Sequence, residues 1–192
     1  MFENYIFTLA SASPRRRELL KGLDLEFTVE PGKDEREAYS ADLPHHAIPE
    51  FLARHKSETF HRDLASGEVL LTADTLVFLD QQILGKPRDR EEAAEMLRAL
   101  AGRTHTVTTG VALRTTERIH TFSDTTEVDF KPLTEAEIDY YIEKYRPFDK
   151  AGAYGVQEWI GYVGITAIRG SYFNVMGLPV QRLYTELCDF LY

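Results

Sequence analysis

The alternation of apolar and polar positions divides the chain into short strands and amphipathic helices. Tyr5 to Ala10 predicts a buried strand, and Leu25 to Glu30 a second one. Between them, Ser13 reads as an N-cap with Pro14 at the first helical position, and Gly22 ends that helix. After a polar loop from Pro31 to Pro44, a helix is expected from about Pro49 to Phe60. Glu68 to Ala73 and Leu76 to Leu79 read as two strand-like runs flanking Asp74-Thr75, which places Asp74 at the carboxyl end of a strand. Asp80-Gln81-Gln82 reads as a turn and Gly85-Lys86-Pro87 as a loop. Asp89 caps a helix with Ala93, Met96, Leu97 and Leu100 on one face and Gly102 at its end.

Further along, Thr104 to Arg114 and Ile119 to Phe130 have the threonine and valine content of paired antiparallel strands. Thr134 and Glu137 form a capping box for a helix that reaches Tyr145 before Pro147 stops it. Tyr162 to Ile168 and Tyr172 to Met176 are expected to pair as a hairpin around Arg169-Gly170-Ser171. The last helix starts near Pro179 and is expected to turn Val180, Leu183, Tyr184, Leu187 and Cys188 inward. Helices and strands interleave with hairpins among them, so the pattern predicts an α/β fold with a mixed rather than fully parallel sheet. There are no internal repeats or Pro/Gly/Ser linkers.

Composition narrows the function classes. The chain has 192 residues, 43% hydrophobic and 28% charged, which suits one domain or two small lobes with a sizeable core. Its 31 acidic and 22 basic residues give a net charge of −9, which disfavours binding to nucleic acid or an anionic membrane surface. No apolar run approaches the roughly 20 residues of a membrane span. Met1 to Tyr5 lack the basic and apolar regions of a signal peptide, so a cytoplasmic location is expected. The single Cys188 is expected to be a buried structural thiol.

Against that acidic background, three consecutive arginines stand out: Arg15, Arg16 and Arg17, in the first turn of the helix capped by Ser13. Cations there oppose the helix dipole unless an anion neutralises them. Backbone N–H groups and guanidinium forks together suit phosphate; ion pairing with Glu18 or a distant carboxylate is the alternative. Asp74 can act as a general base on water or as a divalent-metal ligand, or simply bond its own backbone at a turn. Lys56 continues an apolar row from Ile48 and Leu52, so it either snorkels or reaches into a polar cleft. Lys86 is either a surface lysine or a partner for a polyanion. Asp149 to Gln157 is either a tight loop or a close backbone approach with an amide for a base edge. Glu35 and Glu37 are either metal ligands or surface charge. His45, His46, His55 and His61 lack ligand spacing and read as surface or capping residues. No P-loop, H-E-x-x-H, Cys/His zinc spacing or G-x-S-x-G is present.

Taken together and in order, Leu9-Ala10-Ser11-Ala12-Ser13-Pro14-Arg15-Arg16, Ala73-Asp74-Thr75, Gly85-Lys86-Pro87, Asp149 to Gln157, Gly170-Ser171-Tyr172 and Met176-Gly177-Leu178-Pro179 resemble the Maf family of nucleoside triphosphate pyrophosphatases, also called septum-formation inhibitor proteins. The resemblance covers nearly the whole chain. It implies an elongated mixed β-sheet flanked by helices, two lobes with a central cleft, within a single domain spanning residues 1–192, and a possible homodimer. It also implies hydrolysis between the α- and β-phosphates of a nucleoside triphosphate, with Mg²⁺ or Mn²⁺ as cofactor. Asp74 matches the family's proton acceptor and a metal ligand. Ser11, Arg15, Arg16, Lys56 and Lys86 match positions that hold the triphosphate, and Glu35 an acidic position near the metal, in a loop whose Gly32-Lys33-Asp34-Glu35-Arg36 departs from the commoner pattern. Arg15, Thr75 and Gln157 match the branch acting on dTTP and UTP, whereas a branch acting on 7-methyl-GTP tends to carry Trp, Gln and Glu there. A nucleotide-responsive regulator of cell division that does not turn its ligand over, and an enzyme acting mainly on damaged or modified nucleotides, are the alternative readings.

Overall fold

Alternating strands and helices assemble into a mixed α/β structure, which the computed structural model describes for residues 2–32, 39, 40 and 42–192. The strands are β1 (Ile6–Ala10), β2 (Phe27–Glu30), β3 (Glu68–Leu79), β4 (Gln82–Leu84), β5 (Thr104–Arg114), β6 (Ile119–Phe130) and β7 (Ile165–Arg169). The helices are α1 (Pro14–Lys21), α2 (Ile48–Glu58), α3 (Arg90–Leu100), α4 (Glu135–Tyr145), α5 (Trp159–Gly164), α6 (Tyr172–Met176) and α7 (Val180–Leu191). One seven-stranded sheet has the order β2-β1-β3-β5-β6-β7, with β4 pairing β3. Parallel β1/β2 and β1/β3 pairs and antiparallel β3/β4 and β6/β7 pairs make it mixed, as the sequence pattern predicts.

The chain falls into two compact units: residues 1–74, 109–124 and 177–192, and residues 75–108 and 125–176. In the first unit, Phe7 and Leu9 of β1, Val69 to Leu71 of β3, Leu52 and Ala53 of α2, and Leu183 and Leu187 of α7 are buried. Ser13 caps α1 as expected, its hydroxyl accepting from the Arg16 N–H at 3.4 Å. α2 begins where β5 leaves room for it. At Gly110 a Cβ would lie 2.2 Å from the Pro49 carbonyl carbon, so only glycine lets the helix start press on the strand. The Thr72 hydroxyl then donates to the Ala53 carbonyl at 2.6 Å, fixing α2 against β3.

In the second unit, α3 and α4 contribute Leu97, Leu100, Ile138, Tyr141 and Ile142 to a core shared with Val77, Val128, Phe130, Tyr154 and Ile160. The buried His105 ring meets the Tyr154 hydroxyl at 2.7 Å through Nε2 and stacks on Phe130. Burial lowers its pKa to about 4. Trp159 packs edge-on against Tyr140 with ring centroids 4.8 Å apart.

Four local expectations are corrected. β3 is one continuous strand, and Asp74 lies within it rather than at the end of a shorter one; Asp74-Thr75 continues the ladder because apolar runs on both sides are buried. The expected hairpin around Gly170 is instead α5, β7 and α6. Gly161 lets α5 close on the preceding chain, where a Cβ would meet the Val156 oxygen at 1.8 Å. Ser171 accepts from the Asn174 N–H at 3.2 Å, and the buried Asn174 amide donates to the Val107 carbonyl at 3.0 Å. These contacts, one local and one far along the chain, override the strand propensity of the aromatic and β-branched residues. On α7 the inward stripe is Leu183, Leu187, Phe190 and Leu191, while Tyr184 is exposed and Cys188 only partly buried. The run Phe190-Leu191 rotates the apolar face away from the Val180–Tyr184–Cys188 row.

Candidate functional site

Within the first unit, the turn from β1 into α1 carries Ser11, Arg15 and Arg16, and Arg16 reaches the strand that carries Asp74. Ser11 is buried at the end of β1, and its hydroxyl accepts from the Ser13 N–H at 3.2 Å. One turn into α1, the Arg16 guanidinium donates through Nε to the Gly177 carbonyl and through Nη1 to the Ala73 carbonyl, both at 2.8 Å. Arg16 is therefore also a strut, tying α1 to the residue just before Asp74. Arg15, beside it, is half-buried.

Lys56, in the last turn of α2, donates to Asp74 Oδ1, so its ammonium meets a carboxylate at the end of the apolar row. The two side chains are 14% and 17% exposed, withdrawn from bulk water but still reachable. Among the described residues, Lys56 is the sole hydrogen-bond partner of the Asp74 carboxylate. A different carboxylate opens the same strand. Glu68 is 3% exposed and accepts from the Thr8 hydroxyl at 2.6 Å, from Arg62 at 2.7 and 3.0 Å, and from the Ala65 N–H at 2.8 Å. Arg62 also grips Glu30 at 2.6 Å. The Arg62 bonds, reinforced by Thr8 and Ala65, hold the Glu68 pKa at about 2.

Thr75, Lys86 and Gln157 belong to the second unit. Thr75 follows Asp74 along β3 and is half-buried, while Lys86 is exposed in the loop after β4. The Gly152 N–H donates to the Gly85 carbonyl at 3.1 Å, joining the Lys86 loop to the segment that leads to Gln157. Gln157 sits at the tip of a turn closed by the Glu158 N–H on the Gly155 carbonyl at 3.0 Å. Its Oε1 is buried and has no hydrogen-bond partner among the described residues. The residues that hold this turn, Tyr141, Lys150 and Glu158, were not singled out from the sequence. Tyr141 follows the apolar face of α4 and reads as core, and nothing in spacing reveals that its hydroxyl is used.

The candidate metal ligands Glu35 and Glu37 lie outside the described residues. Among the described residues, no group of three or more His, Cys, Asp or Glu side chains is arranged to hold a metal ion. No helix among them is long and apolar enough to cross a membrane.

Set beside known proteins, the chain is 52% identical over 185 residues to a dTTP/UTP pyrophosphatase of Bacteroides thetaiotaomicron, covering 96% of each chain. It is 51% identical over 190 residues to a dTTP/UTP pyrophosphatase of Porphyromonas gingivalis, covering 98% of this chain and 96% of that one. A solved structure of a HAM1 protein from Coxiella burnetii aligns over 96% of this chain and 99% of its own, at 17% identity and a TM-score of 0.48. The family profile described as "Maf-like protein" matches residues 6–190. With that span of the chain matched, and with relatives of this identity over nearly their whole length, the protein belongs to the Maf-like family.

Proposed function

We propose that the protein hydrolyses nucleoside triphosphates, dTTP and UTP first among them, between the α- and β-phosphates to give a monophosphate and pyrophosphate. The observation that carries this reading is the Lys56–Asp74 pair: a carboxylate withdrawn from bulk water, with one partner, on a strand anchored by Arg16. Pure binding of a polyanion has no need of a carboxylate there, since it repels phosphate; hydrolysis needs a base.

In the proposed mechanism, Asp74 orients the attacking water and takes its proton. Lys56 holds the carboxylate in place, and as nucleotide enters, its ammonium faces the phosphates as well. Arg15, Arg16 and Lys86 neutralise charge that grows on the departing pyrophosphate, and the Ser11 hydroxyl is a further phosphate-binding group. Asp74 is also the described residue that would hold a divalent cation, Mg²⁺ or Mn²⁺, with Glu35 as a second carboxylate. One or two carboxylates plus substrate phosphate oxygens are a usual donor set for Mg²⁺, and the Asp74 carboxylate, bonded among the described residues by Lys56 through Oδ1, fits that set. Such a cation, when bound, acidifies water and offsets phosphate charge. Arg15, Thr75 and Gln157 form the selectivity set, in which the Gln157 amide reads the base. A uracil or thymine edge offers an N–H donor beside carbonyl acceptors, and the unpartnered Gln157 Oε1 is an acceptor for that donor. A cytoplasmic, homodimeric protein is part of the same reading, on the family resemblance.

The test is a panel of nucleoside triphosphates with pyrophosphate and monophosphate both quantified, with and without Mg²⁺. Equal molar release of both from UTP and dTTP is expected; orthophosphate as the only product, or no product, overturns the reading. Gln157→Glu in the same panel should shift preference away from UTP and dTTP, and unchanged selectivity would remove Gln157 from the base-reading role.

A further inference from the structure

An amide that reads a base edge has a weakness: it is pseudo-symmetric. Rotated by half a turn, a glutamine side chain exchanges its acceptor for its donor. One orientation matches the N3–H donor and O4 acceptor of uracil; the other matches the N3 acceptor and amino donor of cytosine. Gln157 can discriminate between the two only if something fixes its orientation.

The turn that carries Gln157 is clasped at both ends by one hydroxyl. Tyr141 Oη accepts from the Gly155 N–H at 2.9 Å and donates to the Glu158 carboxylate. Tyr141 is fully buried on α4, and burial together with Glu158 pushes its phenol well above the ordinary value, so the proton needed for that donation is always present. The Glu158 carboxylate is tied a second time, to Lys150 Nζ at 3.1 Å, and Lys150 in turn to Asp149 at 2.8 Å. Gly155 adds the third element. A Cβ there would lie 3.1 Å from Gln157 Nε2 and 2.9 Å from Glu158 Cδ, so the amide nitrogen and the carboxylate share the space over the glycine. With the carboxylate pinned beside it, and with no direct hydrogen bond between the two among the described residues, the amide gains electrostatically by keeping its NH₂ on the carboxylate side, and a flip would put its oxygen there instead.

We propose that Tyr141, Gly155 and Glu158 are positioning residues that lock the Gln157 amide in one orientation, and that this lock is what separates UTP from CTP. The proposal rests on the reading of Gln157 given above. None of the three touches the phosphates in this scheme; they act on substrate choice through Gln157.

The experiment measures kcat and KM of the full chain for UTP and CTP, with thermal unfolding in parallel. Tyr141→Phe keeps the ring in the core and deletes only the clasp. Its UTP-to-CTP ratio of kcat/KM should fall about tenfold, carried mainly by KM. Glu158→Gln retains an oxygen to accept from Tyr141 but removes the charge that favours the amide NH₂, so it should lower the ratio as well. Should Tyr141→Phe fail to fold, Gly155→Ala carries the test, because its methyl displaces the amide and the carboxylate directly and should lower the ratio likewise. A ratio equal to that of the wild type in Tyr141→Phe or Gly155→Ala overturns the proposal, as does an equal loss on both nucleotides, the mark of a merely structural role. A wild-type chain that prefers UTP beside variants that prefer it equally overturns the lock alone; a wild type that releases no pyrophosphate from UTP overturns the functional reading and the lock together.

Discussion

Two carboxylates on β3 of the first unit have opposite surroundings. Glu68 is buried with its oxygens filled by Thr8, Arg62 and the Ala65 backbone, and its neighbour Glu30 is held by the same arginine. Asp74 has a single lysine among the described residues and stays within reach of solvent. A charge can be buried when every lone pair is used, and it then has nothing left to offer a ligand. A carboxylate that is to work on water must keep lone pairs open, and it can do so only where burial is incomplete. Glu68 is built to hold the strand start in place, and Asp74 to react.

Exchanging the charge at each carboxylate separates the two roles. The largest effect is expected from Asp74→Asn, which removes the base while keeping the shape. Turnover of UTP should fall about 10²- to 10⁴-fold, with the unfolding midpoint nearly unchanged and nucleotide binding by calorimetry largely retained. Near-normal turnover in the purified variant would remove Asp74 from the base role. Glu68→Gln should do the reverse, costing about 1–3 kcal/mol of stability as its hydrogen-bonded charge is lost, while activity per folded molecule survives. Denaturant titration alongside initial rates checks this, and a stable but inactive Glu68→Gln would dissolve the contrast.

The smallest expected effect is a pair of acid limbs that belong to different units. In the folded protein the Glu68 pKa lies at about 2 against an ordinary 4.5, so its stabilisation is complete above pH 4.5 and is lost as pH falls towards 2. His105 titrates at about 4 against an ordinary 6.5 because burial disfavours its charged form. An unfolded chain therefore takes up a proton there that the folded chain refuses, and stability declines as pH falls from 6.5 to 4. His105→Gln should flatten the upper limb of midpoint against pH and leave the lower one. If the upper limb persists in that variant, another group is responsible for it.

How much of this was written in the sequence varies by element. α1, α3 and α4 announce themselves through Ser13, Asp89 and the Thr134–Glu137 box, because a cap is a local bond between near neighbours. The segment 159–176 misleads, since Trp159, Ile160, Tyr162, Val163 and Ile165 carry strand propensity while the deciding contacts are the close approach of Gly161 to Val156 and the bond from Asn174 to Val107, far away in the chain. Asp74 is legible as a candidate, and its partnership with Lys56 is suggested only by the lysine's place on an apolar row. The double duty of Arg16 is not legible at all, because its acceptors are the backbone carbonyls of Ala73 and Gly177, which have no signature in side-chain identity.

The chain has a single tryptophan, and it immediately follows Glu158 in the turn held by Tyr141, with its indole packed on Tyr140. Its ultraviolet emission therefore originates at one known place, two positions from Gln157. The protein carries its own optical probe of that turn, and events there can be followed in solution without attaching a dye.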